Sequence, residues 1–538
     1  MLEEGKLWVA SNEAGEHICL PAKLANRHGL IAGATGTGKT VTLKVLAESF
    51  SELGVPVFIA DVKGDVTGLS QPGADSPDMQ ARIERFGLAG SFSYKGYPVQ
   101  LWDIFGEKGI RLRTTISEMG PMLLSRIMEL NDLQSDILSV VFRIADENNL
   151  LLIDTKDLKA ILNYVSEHNK EFEADYGKMS PTSISAIVRA VVALESAGGD
   201  RFFGEPALNL SDWLSLDGGR GVINILESAS LINNPKLYST FLLWLLSELF
   251  EMLPEVGDME KPKLVFFFDE AHLLFKDSPK ALVDKVEQVV KLIRSKGVGV
   301  YFCTQSPKDI PDGVLAQLGN KVQHALRAYT PADQKAVKAA ADSYRANPAF
   351  NTYDTILSLG TGEAVVSFLE EGGAPGVCEK AKILPPQSLM AAATDAQVDS
   401  LIKGSLLYSK YYEDADPDSA YEFLLRRGVE EQKAAELAEQ EALAEKEREK
   451  AEREAQKEYE KELARQEKER EKAEREYQKA VEREQQERRR AFNSMGNSIS
   501  GAVGREVGRQ TLGKFGKTLG GNVGANLGRG LFATFFRQ

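Results

Sequence analysis

The segment Gly33-Ala34-Thr35-Gly36-Thr37-Gly38-Lys39-Thr40 constrains this chain more than any other stretch of it. Its glycines let the backbone curl until successive N–H groups face one point, and a helix starting there adds its positive end. Leu30-Ile31-Ala32 before it reads as a buried strand, and Val41, Val45, Leu46 and Phe50 after it recur at helical spacing up to Gly54. Strand, loop and helix in that order are the setting in which such a loop cradles phosphate. Lys39 is therefore expected on the β- and γ-phosphates of ATP, and Thr40 on Mg2+.

A loop of this kind calls for an acidic element at the end of a buried strand. Leu264-Val265-Phe266-Phe267-Phe268 is a continuously apolar run, and Asp269-Glu270 follows it. Asp269 is the expected metal-side carboxylate and Glu270 the expected general base for the attacking water; the plainer alternative is that both cap the next helix. Val298–Thr304 is a second buried run, and Gln305 at its end is the candidate γ-phosphate sensor unless it merely bonds neighbouring backbone. Arg327, behind Val322–Leu326, is a candidate arginine finger for a neighbouring subunit, with Arg294 as its rival and a solvated surface side chain as the alternative. His272 and His324 have no carboxylate or Cys at ligand spacing, so packing or local hydrogen bonding is expected of them. Asp61-Val62-Lys63-Gly64-Asp65 reads either as lining of the nucleotide or oligomer face or as a polar strand-end turn.

The remaining pattern predicts an α/β fold: a core with a mainly parallel sheet, a helical insertion, a long charged helix and a glycine-periodic tail. Expected divisions are a short β segment (1–27), the first part of the core (28–116), a mainly helical insertion (117–220), the second part of the core (221–400), a linker (401–428), a charged helix (429–492) and the tail (493–538). The charged stretch has no Gly or Pro from Val429 to Arg490 and carries i,i+4 pairs such as Glu449/Arg453, while its apolar residues are too sparse for sustained heptads. A solvated spacer is preferred there over a coiled coil. In the tail, glycines recur every four residues from Gly516 to Gly528 beside an apolar row, with Arg and Lys around them. Self-association and an anionic membrane surface are both open for it, as is a flexible tail.

A net charge of −14 argues against a chain coated in positive charge, yet leaves room for a local basic lining that binds DNA. Three widely spaced cysteines suggest neither a disulfide framework nor a zinc site and fit a reducing cytoplasm. The acidic start Met1–Lys6 does not read as a secretory signal, and the apolar runs are too short to span a bilayer.

With Gly33–Thr40, Leu264–His272, Cys303-Thr304-Gln305-Ser306-Pro307 and Arg327 in this order, the chain resembles the HerA/FtsK superfamily of ring-forming ATPases. Asp61–Asp65 and Phe202-Phe203-Gly204-Glu205-Pro206-Ala207 make it similar to bacterial HerA-like proteins in particular. The resemblance covers roughly residues 5–400. It implies a RecA-like core, hexamers with ATP between subunits, Lys39 and Thr40 on phosphate and Mg2+, Asp269 and Glu270 as the acidic pair, Gln305 as sensor and Arg327 as a finger acting in trans. It also implies translocation of DNA through a central pore. A nucleotide-switched assembly platform, docking through its tail without unwinding anything, is the competing expectation. Residues 1–27 are shorter than the barrel of archaeal HerA-type motors, and the charged helix and tail are not parts of the motor core.

Overall fold

The computed structural model describes residues 2–229, 231, 235–257, 259–276 and 280–491; the glycine-periodic tail lies outside them. The strands, in chain order, are β1 (Leu2–Glu3), β2 (Lys6–Asn12), β3 (His17–Pro21), β4 (Gly29–Ala32), β5 (Val57–Asp61), β6 (Val99–Asp103), β7 (Ile110–Arg111), β8 (Leu216–Asp217), β9 (Arg220–Gly221), β10 (Ile223–Glu227), β11 (Leu264–Phe268), β12 (Val298–Thr304), β13 (Asn320–Gln323), β14 (Glu363–Ser367) and β15 (Glu379–Ile383). All but β8 and β9, which pair with each other, join one sheet in the order β1-β2-β15-β14-β13-β4-β12-β11-β5-β10-β6-β7, with β3 on β2.

The centre of the sheet is parallel from β13 through β4, β12, β11, β5, β10 and β6 to β7. Its strands β4, β12, β11 and β5 are mainly apolar and buried on both faces because both are covered. Alternate residues feed opposite cores: Phe58, Phe266, Phe268, Val300 and Phe302 enter one, and Val57, Ile59, Val265, Phe267 and Tyr301 the other. The helix Lys39–Glu52 covers the second face with Leu43, Leu46 and Phe50. Helices Pro235–Met252 and Lys280–Ile293 contribute to the first, together with Ile116–Ile127, Asp132–Glu147, Thr155–Glu167 and Pro181–Leu194 from the predicted helical stretch. Three of these begin with reciprocal side-chain caps, Thr115/Glu118, Asn131/Gln134 and Asp154/Asp157, which satisfy first-turn N–H groups.

The edge from β13 to β2 is antiparallel: β14 pairs with β13, β15 with β14, and β2 with β15. No helix lies between β14 and β15, so no crossover returns the chain to a parallel course. The described residues up to Leu424 form one compact unit, and those from Leu425 onward belong to another. The charged stretch is helical, within a single helix Ala420–Ala491, and Arg427–Glu431 (2.9 Å) and Arg453–Glu449 (4.0 Å) are two of its i,i+4 pairs. Among the described residues no helix is long and apolar enough to cross a membrane.

Candidate functional site

β4 lies between β13 and β12 in the parallel part of the sheet, and the glycine-rich loop leaves its carboxyl end. Gly33 N–H donates to Thr304 O (3.2 Å) and Ala34 N–H to Ala325 O (2.8 Å), so the loop is tied to both neighbouring chain segments. Gly36 (φ 77°) and Gly38 (φ 116°) hold left-handed conformations that a side chain disfavours. At Gly33 the reason for glycine is space: a Cβ there would stand 2.5 Å from His324 Cβ and 2.9 Å from Thr37 Oγ1. Lys39 is buried and donates to Gly33 O (2.7 Å) and Ala34 O (3.3 Å). Burial, and then the charge of Lys63, pull its pKa below the ordinary lysine value.

His324 buttresses this loop. Burial lowers its pKa to about 4, so the ring is neutral at pH 7. Nδ1 faces Glu363 O at 2.9 Å and must carry the proton, which leaves Nε2 (2.8 Å) to accept from the Thr42 hydroxyl. The expectation of local hydrogen bonding for His324 therefore matches the structure. Gly362 N–H donates to Thr37 O (3.0 Å), holding the loop from the antiparallel side.

β12 separates β4 from β11, so the ends of these three strands bring the loop, Gln305, and Asp269 with Glu270 to one edge. Asp269 is buried, and its carboxyl is pushed up to about 7 by that burial, against the opposing charge of Lys63. Its Oδ2 has no hydrogen-bond partner. Glu270 takes a left-handed backbone conformation (φ 45°), a conformation in which a non-glycine residue is strained. Burial raises its pKa, but the hydrogen bond and charge of Lys63 outweigh burial and hold the carboxylate below its usual range. Glu270 Oε1 lies 2.5 Å from Lys63 Nζ, and Gln305 Nε2 donates to Oε2 at 3.4 Å. His272 Nδ1 stands 3.2 Å from the same oxygen. Glu270 is thus ionised at neutral pH and within reach of an amide, an imidazole and an ammonium group.

The segment Asp61–Asp65, left open between two readings, contributes two side chains to this edge. Asp61, buried at the end of β5, accepts from Lys63 N–H (3.1 Å) and Gly64 N–H (2.8 Å) with Oδ1, and from Val66 N–H (3.1 Å) with Oδ2. Burial nonetheless raises its pKa to about 6. With the loop amides turned inward onto Asp61, Lys63 reaches Glu270, and Asp65 Oδ2 accepts from the Thr40 hydroxyl (3.2 Å). Neither role was assigned from sequence; the available signal was a run of charges ending a strand as apolar as β11.

Asp269 Oδ2 and Asp65 Oδ1 are buried without hydrogen-bond partners, and the Thr40 hydroxyl lies against Asp65. These are hard oxygen donors of the kind Mg2+ takes. No group of three or more His, Cys, Asp or Glu side chains suited to a metal occurs among the described residues. A groove of about 560 Å3, lined by His272, Phe275, Lys276, Gln305 and Lys308, opens beside the acidic pair. Arg327 is exposed and donates to Leu357 O (3.2 Å); Arg294 lies in the short turn after helix Lys280–Ile293.

A family model described as "Helicase HerA-like C-terminal" matches residues 6–519. The DNA double-strand break repair helicase HerA of Sulfolobus acidocaldarius is 23% identical over 351 residues, 63% of this chain and 62% of that protein. A probable helicase of Methanocaldococcus jannaschii is 33% identical over 116 residues, 21% of this chain and 20% of that protein. The chain thus spans less than two thirds of the length of either relative. Among solved structures, VirB4 of Thermoanaerobacter pseudethanolicus has a TM-score of 0.47 at 15% identity, with 71% of this chain and 97% of VirB4 covered.

Proposed function

Because the chain belongs to the HerA-like helicase C-terminal family of P-loop ATPases, we propose that it is an oligomeric, Mg2+-dependent motor that couples ATP hydrolysis to movement on DNA. The observation that carries the hydrolytic part is Glu270, a buried carboxylate held ionised two strands from the loop strand, with Gln305 on its Oε2. In this reading Lys39 leaves the Gly33 and Ala34 carbonyls for the β- and γ-phosphates. Mg2+, when bound at Thr40 and Asp269, supplies charge that offsets the negative charge developing on the phosphoryl oxygens. Glu270 takes a proton from the attacking water, and Gln305, already within reach of Glu270, orients that water or the γ-phosphate. Arg327, exposed on its own subunit, is assigned to the nucleotide of the next, in a ring taken to be a hexamer.

The DNA part of the proposal is drawn from relatives whose names state a helicase. The purified full-length protein is expected to hydrolyse ATP faster with duplex DNA than without it at low salt, and a Lys39→Ala protein to show neither rate. An unchanged rate with duplex and single-stranded DNA would overturn the motor and leave the nucleotide-switched platform. For Arg327, mixtures of Arg327→Ala and Lys39→Ala subunits should recover part of the activity that either lacks alone; no recovery removes the trans assignment.

A further inference from the structure

The reaction as proposed leaves Lys63 without a task, yet its ammonium makes the closest charged contact of the acidic pair. Nζ lies 2.5 Å from Glu270 Oε1 and 3.9 Å from Asp269 Oδ2. The Lys63 side chain is 37% exposed, whereas those of Asp269 and Glu270 are 6% and 7% exposed. Two adjacent carboxylates at that depth repel each other strongly unless a cation stands between them. Asp269 Oδ2, the oxygen Lys63 approaches without bonding, is the one that Mg2+ is proposed to take. An ammonium and a divalent ion cannot both sit at that position, because their charges repel at such a separation.

The same loop restrains the other proposed metal group. Lys63 N–H and Val66 N–H are fixed on Asp61, so the backbone is held while the four-carbon stem of Lys63 remains free to swing. Asp65 Oδ2 accepts from the Thr40 hydroxyl at 3.2 Å. Occupation by the metal therefore replaces two contacts of one loop, Lys63 on the acidic pair and Asp65 on Thr40.

We propose that Lys63 is a displaceable internal cation, a positioning residue whose ammonium pairs with Glu270 and stands beside the metal-side oxygen of Asp269 in the nucleotide-free chain, and swings away when a divalent cation would be held there. Before release, the ion pair holds the Glu270 carboxylate on Lys63 and away from the attacking water. After release, Glu270 is free to accept a proton. This inference rests on Glu270 as the base and on Asp269 as the metal-side carboxylate.

The test uses full-length wild type, Lys63→Ala, Lys63→Arg and, should the alanine variant be insoluble, Lys63→Gln. Free Mn2+ is titrated by electron paramagnetic resonance without nucleotide and with a non-hydrolysable ATP analogue, and single-turnover hydrolysis is measured at saturating Mg2+. Removal of the competing charge is expected to tighten Mn2+ binding about tenfold. Lys63→Arg, which keeps a cation, should stay close to wild type, and Lys63→Ala should keep single-turnover hydrolysis within about fivefold of it. Unchanged or weaker Mn2+ binding in Lys63→Ala overturns the proposal. So does a larger loss of single-turnover hydrolysis, which would make Lys63 a direct participant in catalysis. Normal hydrolysis by Glu270→Gln would instead defeat the assignment of the base while leaving the Mn2+ comparison standing.

Discussion

The loops Gly33–Thr40 and Asp61–Val66 both leave the carboxyl end of a parallel strand, and they are built in opposite ways. The first relies on backbone: glycines at 36 and 38 hold positive φ, Gly33 leaves no room for a Cβ, and Lys39 lies against the loop's own carbonyls. The second spends its backbone on itself, with three N–H groups bonded to Asp61, and presents side chains instead. A loop that works through backbone tolerates few residue types and so leaves a motif. A loop that works through side chains held by one carboxylate looks, in sequence, like any polar turn.

The largest effect expected from this contrast is at Lys39. Lys39→Ala should lower the hydrolysis rate by about 10²–10³-fold, measured as steady-state phosphate release, because a phosphate-directed charge is removed outright. The two supporting loops should then fail differently. Gly33→Ala forces a Cβ against His324 and Thr37 and should cost about 1–3 kcal/mol in urea unfolding together with ATP affinity. Asp61→Asn turns an NH2 group toward backbone donors and should cost a similar amount, about 1–3 kcal/mol. Its effect on function should fall on kcat, by no more than about tenfold through misplaced Lys63 and Asp65, with ATP affinity kept. Equal loss of ATP affinity in both variants would erase the distinction between the loops.

Much of the site was legible because its chemistry coincides with strong local patterns. Leu264–Phe268 announced a strand buried on both faces, and Asp269-Glu270 had to emerge at its end. Gln305 followed from the same logic at β12. Lys63 and Asp65 were not legible individually, since their partners Glu270 and Thr40 are distant in sequence and only the order β4-β12-β11-β5 brings the strand ends together. β15 carries no continuous apolar signal, because Lys380-Ala381-Lys382-Ile383 alternates charged and apolar residues in the antiparallel part of a sheet whose centre is continuously apolar. The strained backbone at Glu270 also has no sequence signature, as non-glycine residues rarely take positive φ.

A smaller effect separates the charges of the two neighbouring strand ends. Asp269 has a folded pKa of about 7 against an ordinary value of 3.8, so between those values the folded chain binds more protons than the unfolded one and stability falls as pH rises. Asp269→Asn should therefore raise the melting temperature of nucleotide-free protein at pH 8, by about 2–4 °C, and the gain should vanish near pH 4. A gain that is equal at both pH values would mean that burial of the carboxylate is not its cause. The smallest effect belongs to Asp65→Asn, which keeps an acceptor for the Thr40 hydroxyl. Its apparent Mg2+ requirement, read from hydrolysis against metal concentration, should shift by about threefold at most.

In the proposed reaction the carboxyl edge of the sheet binds ATP through one loop and hydrolyses it through the carboxylate of Glu270. Single-turnover hydrolysis by full-length Glu270→Gln, measured beside equilibrium ATP binding, tests it most directly. The expected result is ATP affinity close to wild type with hydrolysis slowed by about 10²-fold or more. Hydrolysis at the wild-type rate would contradict the account.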